Sequence, residues 1–190
     1  MMTVLENHEL IAKISSHGAE LHSLYDKTTK TEYIWQGDKT YWSWHAPICF
    51  PITGRVHNDE YIFENKKYAL TVHGFARDYE FSLLKKTENS VIYELIYNDE
   101  SLKVYPFKFS LQLEYVLSEN GLQVNYTVKN LEDANKDIFF ALGLHTAYNC
   151  PLDKTDDFED YELIFEQKET AKRHFLSNGI INNETADLLN

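Results

Sequence analysis

Histidine is the side chain best suited to moving a proton near neutral pH, and two of the eight in this chain stand in unusual company. His73 lies in Val72-His73-Gly74-Phe75-Ala76-Arg77-Asp78, and His145 in Ala141-Leu142-Gly143-Leu144-His145-Thr146-Ala147-Tyr148-Asn149-Cys150-Pro151. A third segment, Pro47-Ile48-Cys49-Phe50-Pro51-Ile52-Thr53-Gly54-Arg55, ends an apolar run in Gly-Arg. Each is an apolar run that meets a loop through a titratable ring or a guanidinium, which is where a β protein opens its cleft. One such imidazole could donate a proton while another holds a substrate oxygen as a neutral donor. His73 and His145 are therefore the candidate catalytic residues, and Arg55 and Arg77 the candidate ligand-binding ones. Read singly, each arginine is as well explained by a salt bridge to a neighbour such as Asp78. His8, His17, His22, His57 and His174 lack that context and read as surface or hydrogen-bonded core residues.

Other chemistries find little support. There is no His-Glu-x-x-His, Cys-x-x-Cys or EF-hand spacing, so no metal is expected. The glycine-rich nucleotide loops and the Gly-x-Ser-x-Gly elbow are also absent, so no cofactor is expected. Trp35, Trp42 and Trp44 cluster with Tyr33 and Tyr41. Such rings could stack on the apolar face of a sugar, although packing within a β protein accounts for most of them.

The elements that must position these residues are strands. Phe107, Phe109, Leu111, Leu113, Tyr115 and Leu117 alternate with largely polar residues, Ser118-Glu119-Asn120-Gly121 supplies turn chemistry, and Leu122, Val124, Tyr126 and Val128 resume the alternation, which predicts a hairpin. A second break at Glu64-Asn65-Lys66 separates Tyr61–Phe63 from Tyr68–Leu70. Further β-rich runs cover Tyr79–Leu84, Val91–Tyr97, Ile138–Leu142 and Tyr161–Phe165, and no stretch sustains a helical period. An all-β, antiparallel sandwich forming one domain over residues 1–190 is the expectation. Ser177 to Asn190 reads as polar, with turns at Asn178-Gly179 and Asn182-Asn183 and no closing element. An open strand edge and uncovered apolar surface there would invite a second copy or a complementing chain.

Composition narrows the partners. With 30 acidic against 18 basic residues, the formal net charge of −12 disfavours nucleic acid and anionic membrane. Met1 to Ile14 alternates polar and apolar residues without the pattern of a secretory signal, and no run reaches membrane-spanning length. Cys49 and Cys150 are far apart and read as reduced thiols, which makes the cytoplasm the expected compartment.

Five separated segments resemble the aldose 1-epimerase (galactose mutarotase) family, most closely its LacX-like branch. They are Gly18-Ala19-Glu20-Leu21-His22-Ser23-Leu24, Tyr33-Ile34-Trp35-Gln36-Gly37-Asp38, Pro47 to Arg55, His73 to Asp78, and Gly143 to Leu152. The resemblance implies a large antiparallel β-sandwich, the galactose mutarotase-like supersandwich, C-terminally incomplete here. It also implies a cofactor-free isomerase that interconverts α and β anomers of a hexose by ring opening. In that scheme Arg55 and His73 orient sugar hydroxyls and His145 protonates the ring oxygen. The family's base, a glutamate near the C-terminus, and a sugar-holding aspartate have no match in this chain. Leu144, Thr146 and Tyr148 stand where glycine, proline and phenylalanine are common, which alters the loop that carries His145. Arg77 lies in a stretch shared with related sugar-phosphate epimerases, where arginines serve phosphate. The alternatives are a hexose-6-phosphate 1-epimerase-like protein and a carbohydrate-binding β-sandwich without turnover, with an unphosphorylated aldose preferred.

Overall fold

Period-two alternation over residues 2–26 builds the first sheet, because successive side chains on a strand point to opposite faces. β1 (Met2–Glu6) buries Thr3 and Leu5, β2 (Leu10–Ser15) buries Leu10, Ala12 and Ile14, and β3 (Leu21–Asp26) buries Leu21 and Ser23. With the short β4 (Thr31–Glu32) they form an antiparallel sheet in the order β1-β2-β3-β4. The computed structural model describes residues 1–119, 121–168 and 170–188.

The short, buried β5 (Ile48–Cys49) follows, then the hairpin of β6 (Glu60–Phe63) and β7 (Lys66–Ala69). Glu64 and Asn65 turn that hairpin with φ of 49° and 62°, the conformation a tight two-residue connection needs. β8 (Ser82–Lys86) and β9 (Ser90–Ile96) lead into the one-turn helix α1 (Asp99–Val104). Its start is satisfied by a reciprocal cap: Asn98 Oδ1 accepts from the Ser101 N–H and Ser101 Oγ from the Asn98 N–H, each at 2.9 Å. β10 (Phe109–Ser118) and β11 (Gly121–Asn130) complete a second antiparallel sheet in the order β11-β10-β9-β8. Phe109, Leu111, Leu113, Tyr115 and Leu117 face the core as their alternation predicts, while the turn residue Asn120 lies outside the described residues.

β12 (Gly143–Leu144) pairs with β5, and β13 (Lys172–Ser177) and β14 (Ile180–Asp187) form a hairpin around Asn178-Gly179. The expected polar, open end is therefore a strand pair. Asn182 lies within β14 rather than in a turn, its side chain donating to Ser177 Oγ at 3.0 Å. Leu189 and Asn190 lie outside the described residues. Three strand expectations fail in whole or in part. Ile138–Leu142 and Tyr161–Phe165 join no ladder, because an apolar run gains strand geometry only where a neighbouring backbone offers partners. The first is tied by isolated bonds, Tyr105 Oη to the Phe139 carbonyl and the Ala141 N–H to the Pro51 carbonyl. The strand expected from Tyr79 begins only at Ser82, after a 3-10 turn at Ala76–Asp78.

The inner faces share one core. Leu5, Ala12 and Ile14 of the first sheet join Val91, Tyr93, Leu95, Leu111 and Leu113 of the second. Polar tips inside it are paired: Thr3 Oγ1 and the Tyr93 hydroxyl lie 2.7 Å apart, and Tyr115 Oη donates to the Ala19 carbonyl at 2.6 Å. Phe50, fully buried, anchors the loops around β5 to this core through rings of Phe75, Tyr105 and Phe109, with centroids at 6.3, 5.9 and 5.0 Å. No helix among the described residues is long and apolar enough to cross a membrane.

Candidate active site

The segments singled out in the sequence lie side by side. β5 and β12 run antiparallel with Cys49 opposite Gly143 and Ile48 opposite Leu144, and just beyond them the His145 N–H donates to the Pro47 carbonyl at 3.0 Å. On the other side Phe50 bridges Gly74: the Phe50 N–H donates to the His73 carbonyl at 3.1 Å, and the Phe75 N–H donates to the Phe50 carbonyl at 3.0 Å. The backbones approach so closely that a Cβ on Gly74 would sit 2.2 Å from the Phe50 carbonyl oxygen, and its φ is 73°. Only glycine fits there. The result is that the His73 and His145 rings stand 5.4 Å apart, with their planes at 74°.

The environment of His73 decides its chemical state. The Gly54 N–H donates to His73 Nδ1 at 3.0 Å, which requires a lone pair on that nitrogen. Burial lowers the ring's pKa, and the charges of Arg77 and His145 lower it further. His73 is thus held neutral with its proton on Nε2, a fixed hydrogen-bond donor. His145 is exposed, with the half-buried Trp42 ring 5.0 Å away. That arrangement can hold one oxygen of a polar ligand and exchange a proton at another, beside an aromatic face.

The two arginines part company. Arg77 lies within the charge field of His73 and stacks over Trp44 at 5.2 Å, its side chain 17% exposed. Its Nη2 donates to the Val72 carbonyl at 3.0 Å, Asp78 Oδ2 is 3.9 Å from Nε, and Nε has no hydrogen-bond partner among the described residues. Arg55 follows Gly54 directly, but its side chain turns outward into a two-pronged pair with Asp59 at 2.7 and 2.9 Å. Asp59, not Asp78, is its neighbour. Arg55 borders a cavity of about 490 Å³ whose other walls include His57, Asn58, Asp59 and the Ser177-Asn178 tip; neither His73 nor His145 lines it. Of the sequence candidates, His73, His145 and Arg77 are therefore grouped, and Arg55 stands beside them through the backbone only.

Trp35 donates from Nε1 to the Trp42 carbonyl at 2.8 Å, so the tryptophan cluster shapes the loop that presents Trp42 and Trp44. Cys49 is buried, which pushes its thiol up against the opposing charge of Arg77; Cys150 is exposed, and both are free. Sequence reasoning missed Asp59, for which the i,i+4 spacing to Arg55 was the available signal. It also missed the cluster of Glu20, His22 and His45, whose spacing in sequence carries no motif.

A family model described as Aldose 1-epimerase matches residues 1–182. The plasmid and chromosomal forms of Protein LacX from Lactococcus lactis subsp. lactis are each 35% identical over 188 residues, covering 95% of this chain and 62% of the relative. The chain thus spans less than two thirds of the length of these relatives. Among solved structures, a galactose mutarotase related enzyme from Lactobacillus acidophilus is similar with a TM-score of 0.91 and 36% identity, over 98% of this chain and 62% of that one. A galactose mutarotase-like protein from Lactobacillus casei ATCC 334 is similar with a TM-score of 0.89 and 39% identity, over 100% of this chain and 64% of that one.

Proposed function

Because the chain belongs to the aldose 1-epimerase family, we propose that it binds an aldose at the His73–His145 pair and takes part in interconverting the sugar's anomers by ring opening. The observation that carries the reading is the meeting of these two rings, 5.4 Å apart, with His73 fixed as a neutral donor. Anomer exchange needs an acid at the ring oxygen and a base at the anomeric hydroxyl, after which rotation about C1–C2 and reclosure give the other anomer. His145, exposed and next to Trp42, protonates the ring oxygen. His73 Nε2–H holds a sugar oxygen, and the Trp42 ring offers an apolar surface for the sugar's own apolar face. Arg55 contributes a hydroxyl contact once its side chain leaves Asp59 and swings from its outward position toward the two rings.

Polarimetry or anomeric NMR exchange on a freshly dissolved aldohexose tests the reading. His145→Ala should lower the rate by about 10²–10⁴ while sugar affinity stays nearly unchanged. Arg55→Ala should weaken binding instead. Equal, small effects of both substitutions would remove the site assignment.

A second reading, sugar binding without turnover, is favoured by the altered loop of His145, where Leu144, Thr146 and Tyr148 stand in place of residues common in the family. Sugar affinity without anomer exchange would establish it. The guanidinium of Arg77, beside His73 and over Trp44, fits a ligand with an anionic group within the same framework, and a hexose 6-phosphate that outcompetes the free hexose would assign that role.

A further inference from the structure

We propose that Glu20, His22 and His45 form a divalent transition-metal site, suited to Zn²⁺, that clips the first sheet to the strand pair carrying His145. One ligand atom from each residue lies within 4.8 Å of the others. Glu20 is 5% exposed, and its Oε1 is spent on the N–H groups of His45 and Ala46 at 2.8 and 2.9 Å. That leaves Oε2 free to face His22 Nε2, 3.2 Å away. The second imidazole stacks on the first, with ring centroids 4.0 Å apart and planes 15° from parallel.

The electrostatics suit a cation. A buried carboxylate needs a positive partner. Glu20 is buried, and two backbone N–H groups on Oε1 fix the carboxylate so that Oε2 is presented toward the imidazoles. His45 adds a second imidazole within reach of the same point, and its neutral ring is the form that binds metal. Two imidazoles and one carboxylate match the donors Zn²⁺ takes, with a fourth position left to water. Near-parallel rings hold their in-plane lone pairs nearly parallel, so coordination requires the His22 ring to turn. Its side chain is 28% exposed, which allows the turn and gives the ion a path in.

The placement assigns the role. Glu20 precedes β3 and His22 lies in it, whereas His45 precedes β5, and its carbonyl accepts from the Ala147 N–H at 2.9 Å, two residues beyond His145. The site joins these two elements and stands independently of the sugar reading.

The test is titration of tag-free, chelator-treated chain with Co²⁺, followed by Zn²⁺ displacement. One equivalent with visible d–d bands is expected, and Zn²⁺ at about 100 times its Kd should raise Tm by roughly 5–10 °C. His22→Ala should weaken Co²⁺ binding at least about tenfold. His22→Gln, which retains volume and a donor to Glu20, should do the same with folding intact by circular dichroism, and His8→Ala should bind as the parent does. Absence of the bands, or binding that both His22 variants leave unchanged, would overturn the site.

Discussion

A single missing proton determines how the two central imidazoles divide their work. Protonating His73 at Nδ1 would leave the Gly54 N–H without an acceptor and set an imidazolium beside Arg77. Its folded pKa lies below the ordinary 6.5, so the unfolded chain takes up the proton first. The stabilisation is therefore complete above the unfolded value and is lost as pH falls from there through the depressed folded value. His45, also lowered, adds to the same trend. Denaturant unfolding as a function of pH should show a plateau above roughly pH 6.5 and a decline below it. His73→Gln, whose amide oxygen can still accept from Gly54, should reduce that decline. A curve that instead rises on acidification through this range would contradict the neutral-ring assignment.

At the level of elements, the decisive contact is backbone against backbone where Phe50 passes Gly74. Gly74→Ala would place a methyl group 2.2 Å from the Phe50 carbonyl and demand a left-handed backbone of an ordinary residue. The combined cost should be about 2–4 kcal/mol, read as a shifted denaturation midpoint, with the His73 ring displaced as well. Such contacts explain what was legible in the chain. The β10–β11 hairpin could be read directly, because alternation from Phe107 to Val128 records which face is buried. The His-Gly pair at 73 and 74 also announced itself, because glycine marks a close approach. By contrast β4, β5 and β12 are two residues long each and leave no periodic trace, though β5 and β12 assemble the site. Tyr161–Phe165 shows the reverse case, a β-rich composition with no ladder to join. Arg55 was singled out, but its engagement by Asp59 follows from the fold of residues 55–59, where Asn58 and Asp59 both take positive φ.

Across the whole molecule, burial is uneven. Strands of both four-stranded sheets contribute to one core, whereas β13 is exposed along its full length. Leu163, Ile164, Leu176 and Ile181 are 89, 83, 62 and 67% exposed, more apolar surface than a strongly acidic chain needs in water. These side chains predict concentration-dependent self-association or capture of a complementing chain. Light scattering across the micromolar range should show mass rising with concentration, and Leu163→Lys with Ile164→Lys should reduce it. A constant monomer mass would argue that these side chains are tolerated in water as they stand. The two hydroxyl bridges between layers, Thr3 with Tyr93 and Tyr115 with the Ala19 carbonyl, bear on a different property. Each fastens a strand of the second sheet to the segment that builds the first, so pulling the sheets past one another would break both bonds at once, and resistance to shear should exceed resistance to peeling from the edges.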